Sequence, residues 1–108
     1  MRGLKINNAS RKLDIVLVSA RYKDDGKLEF ARGYERRGFV WTDIRLYDRE
    51  TLIAKVRAGA KIYTGDPAEV PGSYEPDQRV HLEGQDGSAY LVVNGSGGEK
   101  DDLGVPIL

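Results

Sequence analysis

With 108 residues, 40% of them apolar and 31% charged, the chain has the size and composition of one folded domain, which excludes a disordered protein and a bilayer-spanning one. The absence of cysteine excludes disulfides and thiolate chemistry. The formal net charge is zero, but residues 1–58 carry fourteen Lys or Arg against eight Asp or Glu, and residues 59–108 carry three against nine.

The first predicted element is a strand over residues 12–23. Its apolar residues occupy both faces in the middle, over residues 15–18, which is typical of a strand covered on both sides. The pair Asp25-Gly26 then predicts a tight hairpin, because Asp and Gly tolerate the positive φ angles of such a turn. On the return strand, alternation places four side chains on one face: Leu28, Phe30, Arg32 and Tyr34.

After a second turn at residues 36–38, alternation over residues 39–47 predicts a third strand. The period then becomes helical, and a helix is predicted from about Arg49 to Ala58. Asp48 is placed as the N-cap and Gly59 as the residue that ends the helix. The apolar stripe of this helix consists of Leu52, Ile53 and Val56.

Beyond the helix, residues 60–64 predict a short strand. Residues 65–78 contain three prolines and two glycines, which predicts a loop of about fourteen residues. A final hairpin is predicted from residues 79–83 and 88–94. We therefore expect one β-rich domain over residues 1–94, followed over 95–108 by a Gly-rich linker and an acidic, apolar tail.

The predicted element order is β-β-β-α-β-β-β, which indicates a β-rich α+β fold. A small antiparallel sheet with one packed helix fits this order. An OB-like barrel, in which a meander closes with a later hairpin, fits it as well. The order of elements does not choose between the two.

No motif in the sequence predicts catalysis, so we expect a protein that is not an enzyme and that holds no cofactor and no metal. His81 is the single histidine, and Glu83 lies two residues on, on the same face of a predicted strand. Such a pair could act as a general base and its orienting carboxylate. No nucleophile lies within reach by spacing, so a catalytic role for these two residues remains a minor alternative.

A run of arginines and aromatic residues surrounds the second predicted turn. Single-stranded nucleic acids are bound by aromatic rings that stack on bases and by guanidinium groups that contact phosphates. The sequence therefore predicts, as an alternative function, oligonucleotide binding by the face of the second and third strands. The aromatic residues could equally belong to the core of a small barrel. The candidate binding residues are Arg32, Tyr34, Arg36, Arg37 and Trp41.

The end of the chain resembles the acidic, Pro-hydrophobic C-terminal tips of bacterial single-stranded DNA-binding proteins, which recruit partner proteins. It departs from them in having two adjacent acids rather than a longer acidic block, and Leu108 rather than an aromatic residue at its end. A tail of this kind can contact another protein or dock on its own domain. The candidate contact residues are Leu103, Val105, Ile107 and Leu108.

From these patterns we expect a cytoplasmic binding or assembly module that makes no contact with a membrane. Its partner is expected to be another protein or a second copy of the chain, contacted through the loop over residues 65–78 and the C-terminal tail. Nucleic acid is the alternative partner, because the basic half of the chain would attract an anionic ligand.

Overall fold

A computed structural model describes residues 5–6, 13–37, 40–42, 44–67, 73–84, 89–93 and 100–107. These residues form eight strands and one helix: β1 (Lys5–Ile6), β2 (Ile15–Tyr22), β3 (Leu28–Arg37), β4 (Val40–Trp41), β5 (Arg45–Asp48), α1 (Arg49–Arg57), β6 (Ile62–Pro67), β7 (Ser73–Glu83) and β8 (Tyr90–Val93). The strands make one mixed sheet with a six-stranded path, β1-β7-β6-β2-β3-β4, to which β5 adds beside β3 and β8 beside β7.

The β-rich α+β class is confirmed, whereas the OB-like barrel is not. Within the described residues, no pairing joins β1 to β4, so the path stays open. β6 lies parallel to β2, so the sheet is mixed and not antiparallel as predicted, and α1 belongs to the connection between these two strands. A parallel pair requires such a crossover, which a sheet built only of hairpins lacks.

The β2–β3 hairpin forms as predicted, with Gly26 at a φ of +85° in its turn. Residues 15–18 of β2 are all buried, so the prediction of a strand covered on both faces is also confirmed. The predicted face of β3 is wrong for one residue, Leu28. Arg21 pairs with Phe30, but the next residue, Tyr22, pairs with Leu28, so β3 contains a β-bulge at this point. The bulge reverses the alternation, and Leu28 therefore lies in the main core cluster.

The predicted third strand is interrupted. β4 pairs with the end of β3, and β5 pairs with its middle. Between them, the backbone N–H of Thr42 donates to the carbonyl of Glu35 at 2.8 Å, and the Thr42 hydroxyl accepts from the Glu35 N–H at 3.0 Å. The side chain of Thr42 thus replaces a backbone partner, which breaks the ladder. Phe39 lies outside the described residues.

The helix α1 forms within one residue of its predicted bounds. The Asp48 carboxylate accepts from the backbone N–H of Thr51 at 2.8 Å, and the hydrogen bonds from Thr51 lower the pKa of Asp48. Gly59 follows the helix at a φ of +95°, the left-handed conformation that ends many helices. Leu52 is fully buried and contributes to the core, with Ile53 and Val56 packed beside it.

Leu52→Ala is expected to reduce the free energy of unfolding by about 2–4 kcal/mol, because it removes buried methyl groups and leaves a cavity. Glu50→Gln, on the exposed side of the first helical turn, is the matched control and should change stability by less than about 0.5 kcal/mol. Urea denaturation of the two variants measures both values. A larger loss in the control would show that α1 buries a different face.

The predicted loop over residues 65–78 is wrong, because its two ends belong to β6 and β7. Gly65 pairs with Pro76 and Pro67 with Tyr74, while residues 68–72 lie outside the described residues. Prolines are tolerated in a strand where no ladder bond needs their missing N–H. At the irregular point before this segment, the hydroxyl of Thr64 accepts from the backbone N–H of Gln78 at 3.1 Å.

The hairpin of β7 and β8 forms as predicted, with Val80 opposite Val93. Its turn, residues 85–88, lies outside the described residues. α1 and the C-terminal segment pack against one side of the sheet, where the larger core cluster lies. We call this side the helix face.

Part of the C-terminal tail belongs to the core of this chain. Leu103 is fully buried and Val105 is 9% exposed, and both pack in the main core cluster. Ile107 is 68% exposed, and Leu108 lies outside the described residues. Two of the four predicted contact side chains are therefore buried in their own domain. They pack against residues that are distant in the sequence, which no local pattern could predict.

A buried carboxylate anchors this C-terminal segment. The Asp101 side chain is fully buried and accepts from the backbone N–H groups of Leu28 at 2.6 Å and of Leu91 at 2.9 Å. The Nε of Arg49, in the first turn of α1, donates to the same carboxylate at 2.7 Å. Two strands and the helix thus converge on one side chain from the tail.

Next to this carboxylate, the Tyr22 hydroxyl accepts from the backbone N–H of Leu103 at 3.0 Å. Burial raises the pKa of Tyr22 and outweighs the lowering effect of that hydrogen bond. The hydroxyl therefore stays neutral at ordinary pH, and it adds a further link between β2 and the C-terminal segment.

Candidate functional site: an aromatic and arginine-rich sheet face

The side of the sheet opposite the helix face carries a second, smaller apolar cluster. Its buried members are Leu13, Val16 and Val18. Four partly exposed aromatic side chains pack against them: Tyr34, Trp41, Tyr63 and Tyr74. Together with Arg32, Arg36 and Arg79, these four residues define what we call the aromatic–arginine face.

Cross-strand pairing places these residues on one side. Residues directly opposite each other in a sheet point to the same face, as do residues two apart on one strand. Arg36 on β3 is opposite Trp41 on β4, and Tyr34 on β3 is opposite Val16 on β2. Arg36, Tyr34 and Arg32 follow at intervals of two along β3, so the alternation of the strand puts all three on the same face as Trp41.

On the other flank of β2, Tyr63 of β6 is the parallel partner of Val16, and Arg79 of β7 lies opposite Tyr63. Tyr34, Val16, Tyr63 and Arg79 therefore form one row across four neighbouring strands. This row is the geometric centre of the aromatic–arginine face.

A glycine lets the fourth aromatic residue reach this row. A Cβ at Gly65 would lie 2.6 Å from Val16 Cγ1 and 3.4 Å from Tyr74 Cβ, so a side chain there would collide with the cluster. With only hydrogen at Gly65, the Tyr74 ring extends over β6 to the Tyr34 ring. The two ring centroids are 6.0 Å apart at an interplanar angle of 41°, within the range of favourable aromatic pairs.

Four of the five residues predicted from the sequence come together here, and Arg37 does not. Arg37 shares the opposite side of β3 with Glu35, and its Nε lies 3.5 Å from Glu35 Oε2. Glu35 also accepts from the hydroxyl of the buried Tyr47 at 3.0 Å. Burial, followed by the bond to Glu35, raises the pKa of Tyr47, so this hydroxyl stays neutral and holds Glu35 on the helix face.

Tyr63, Tyr74 and Arg79 belong to the face but were not predicted as site residues. Tyr63 lay in a strand predicted from residues 60–64, where alternation could have marked it as an outward ring. Tyr74 lay in the segment predicted as a loop. Arg79 becomes a neighbour of Tyr34 only through the order β7-β6-β2-β3, which no local signal contains.

His81 and Glu83 lie near the end of β7, with His81 Nε2 3.2 Å from Glu83 Oε2 and both side chains partly exposed to solvent. Among the described residues, no three His, Asp or Glu side chains converge closely enough to hold a metal ion. α1, the helix in the described part of the chain, is too short to cross a bilayer.

No protein-family model, no curated protein and no solved structure matches this chain.

Proposed function

We propose that this protein is a non-enzymatic module that binds single-stranded nucleic acid on the aromatic–arginine face. The observation that carries the proposal is the direct cross-strand pairing of Arg36 with Trp41, beside Tyr34 on the same strand face. A ring and a guanidinium group held side by side can contact a base and its phosphate at the same time.

The composition of the face supports an anionic, base-containing ligand. Its three arginines carry planar guanidinium groups, which suit phosphate oxygens. Its rings come from four different strands, so they offer several stacking positions to one ligand. Open sheet faces of RNA-binding domains stack two or three bases on aromatic side chains in this manner.

Protein contact is the second candidate function, and one observation favours it. Ile44 is 40% exposed and Leu46 is 64% exposed, and Leu46 lies opposite Arg32 beside the aromatic–arginine face. Exposed aliphatic residues next to Tyr, Trp and Arg are typical of protein interfaces. We rank this function below nucleic-acid binding because, of the contact elements first expected, residues 65–67 and 73–78 belong to the sheet, and Leu103 and Val105 of the tail belong to the core.

The proposal is tested by the fluorescence anisotropy of a labelled single-stranded oligonucleotide, titrated with protein at several salt concentrations. Each phosphate contact in a single strand contributes about 0.7 to the slope of log affinity against log salt. Arg36→Ala should weaken binding at low salt and reduce that slope by about 0.7. Arg37→Ala is the matched control, because it removes the same charge from the opposite side of β3.

Equal loss of affinity in the two variants would contradict the proposal, since a general charge effect would then explain the binding. The proposal also fails if the unmodified protein binds no oligonucleotide at low salt and micromolar concentration. That result would favour protein contact through the exposed Ile44 and Leu46.

A further inference from the structure

The row across the sheet has dimensions that limit the ligand. Neighbouring strands lie about 4.8 Å apart, so Tyr34 on β3 and Tyr63 on β6, with β2 between them, are about 10 Å apart at their backbones. Arg79 lies one strand further, about 5 Å beyond Tyr63. Arg32 and Arg36 lie about 7 Å to either side of Tyr34 along β3.

The chemistry of the row changes from its ends to its centre. Val16 is fully buried beneath the rings in the middle, so the centre offers apolar contact and no charge. Arginines stand at both ends, Arg79 beyond Tyr63 and Arg32 and Arg36 beside Tyr34. The two ends of the row therefore offer guanidinium groups to an anionic ligand, and its middle offers aromatic rings.

From this pattern we infer that a single strand crosses the β-strands, with bases against Tyr34 and Tyr63 and phosphates at Arg79 and at Arg32 or Arg36. This inference rests on the proposed function. It adds Tyr63 and Arg79 to the binding residues, and it sets the direction of the ligand.

The spacing also sets the length of the ligand. A fully stacked strand rises 3.4 Å per nucleotide, so the span of about 10 Å between the two tyrosines holds at most about four nucleotides, and fewer where bases leave the stack to contact the rings. A duplex does not fit this mode, because its bases are stacked on each other and paired in its interior. The ligand class is a short, unpaired segment of about three or four nucleotides.

A strand that followed β3 instead would contact Arg32, Tyr34 and Arg36, with Trp41 beside them. Tyr63 and Arg79 would then lie off its path, two and three strands away from β3. Variants of these two residues therefore separate the two directions.

The test uses the full chain and a labelled homopolymeric oligonucleotide lengthened by one nucleotide at a time, with the fluorescence anisotropy of the label as the readout. Affinity should rise up to about four nucleotides and then level off. Tyr63→Leu keeps an apolar side chain on the cluster and should weaken binding at least about fivefold, the lower end of a lost base stack. Arg79→Ala should reduce the salt slope by about 0.7, with Arg37→Ala as control.

The outcomes distinguish this inference from the proposed function. If Arg36→Ala weakens binding while Tyr63→Leu and Arg79→Ala leave it unchanged, the ligand follows β3 and the crossing path is wrong, although nucleic-acid binding stands. If the unmodified protein binds no oligonucleotide, the proposed function itself fails. Thermal melting of each variant checks that a lost affinity does not come from unfolding.

Discussion

Asp101→Ala is expected to lower the free energy of unfolding by about 3–5 kcal/mol, the usual cost of removing one partner from a buried ion pair. The substitution deprives Arg49 of its carboxylate and leaves the buried backbone N–H groups of Leu28 and Leu91 without their acceptor. Each unsatisfied buried group costs about 1–3 kcal/mol. The melting temperature should fall by at least about 10 °C for a domain of this size.

The adjacent aspartate supplies the matched control. Asp102 is only half-buried, and its carboxylate accepts one local bond from the N–H of Gly104 at 3.1 Å. Asp102→Ala should therefore cost about 1 kcal/mol or less. If Asp101→Ala does not fold, Asp101→Asn keeps one acceptor oxygen and should give an intermediate melting temperature. Equal stability of the Asp101 and Asp102 variants would show that the buried network does not hold the tail.

The sequence predicts the elements whose signals are local. Asp48 and Gly59 mark the two ends of α1 because a cap needs only the residues of one helical turn. Gly26 marks the β2–β3 turn because the turn requires a positive φ. In each case the interactions that stabilise the element are made by residues close together in the chain, so the residue types alone predict the element.

Contacts between residues far apart in the chain could not be predicted from the sequence. The parallel contact of β2 with β6 joins Ile15 to Ile62, and the bond of Arg49 to Asp101 spans 52 residues. Neither the residue types nor their spacing identify which residues form such a pair. The acidic pair Asp101 and Asp102 was therefore assigned to a tail outside the folded domain, although Asp101 is an anchor of the core.

The same distinction explains the site. Arg32, Tyr34 and Arg36 could be predicted together because strict alternation on one strand puts them on one face. Arg37 was included because a turn was expected at residues 36–38, where alternation does not apply. β3 in fact continues through Arg37, so this residue faces away.

Removal of residues 99–108 is expected to unfold the domain, although the sequence alone placed the folded domain within residues 1–94. The truncation after Gly98 takes away the Asp101 carboxylate together with Leu103 and Val105 from the core. Loss of the carboxylate costs about 3–5 kcal/mol, and loss of a buried leucine adds about 2–5 kcal/mol. The sum is comparable with the whole stability of a small domain, about 5–15 kcal/mol.

Circular dichroism and the dispersion of amide NMR signals measure this loss of structure, and Ile107→Ala is the control. Ile107 is 68% exposed, so its truncation should change stability by less than about 0.5 kcal/mol. A synthetic peptide of residues 99–108, added in excess to the truncated chain, should restore the folded spectrum, and the same peptide with Asp101→Ala should not. A truncated chain that stays folded and only loses self-association would instead make the tail a contact element for a partner, because its buried side chains would then contribute nothing to the core.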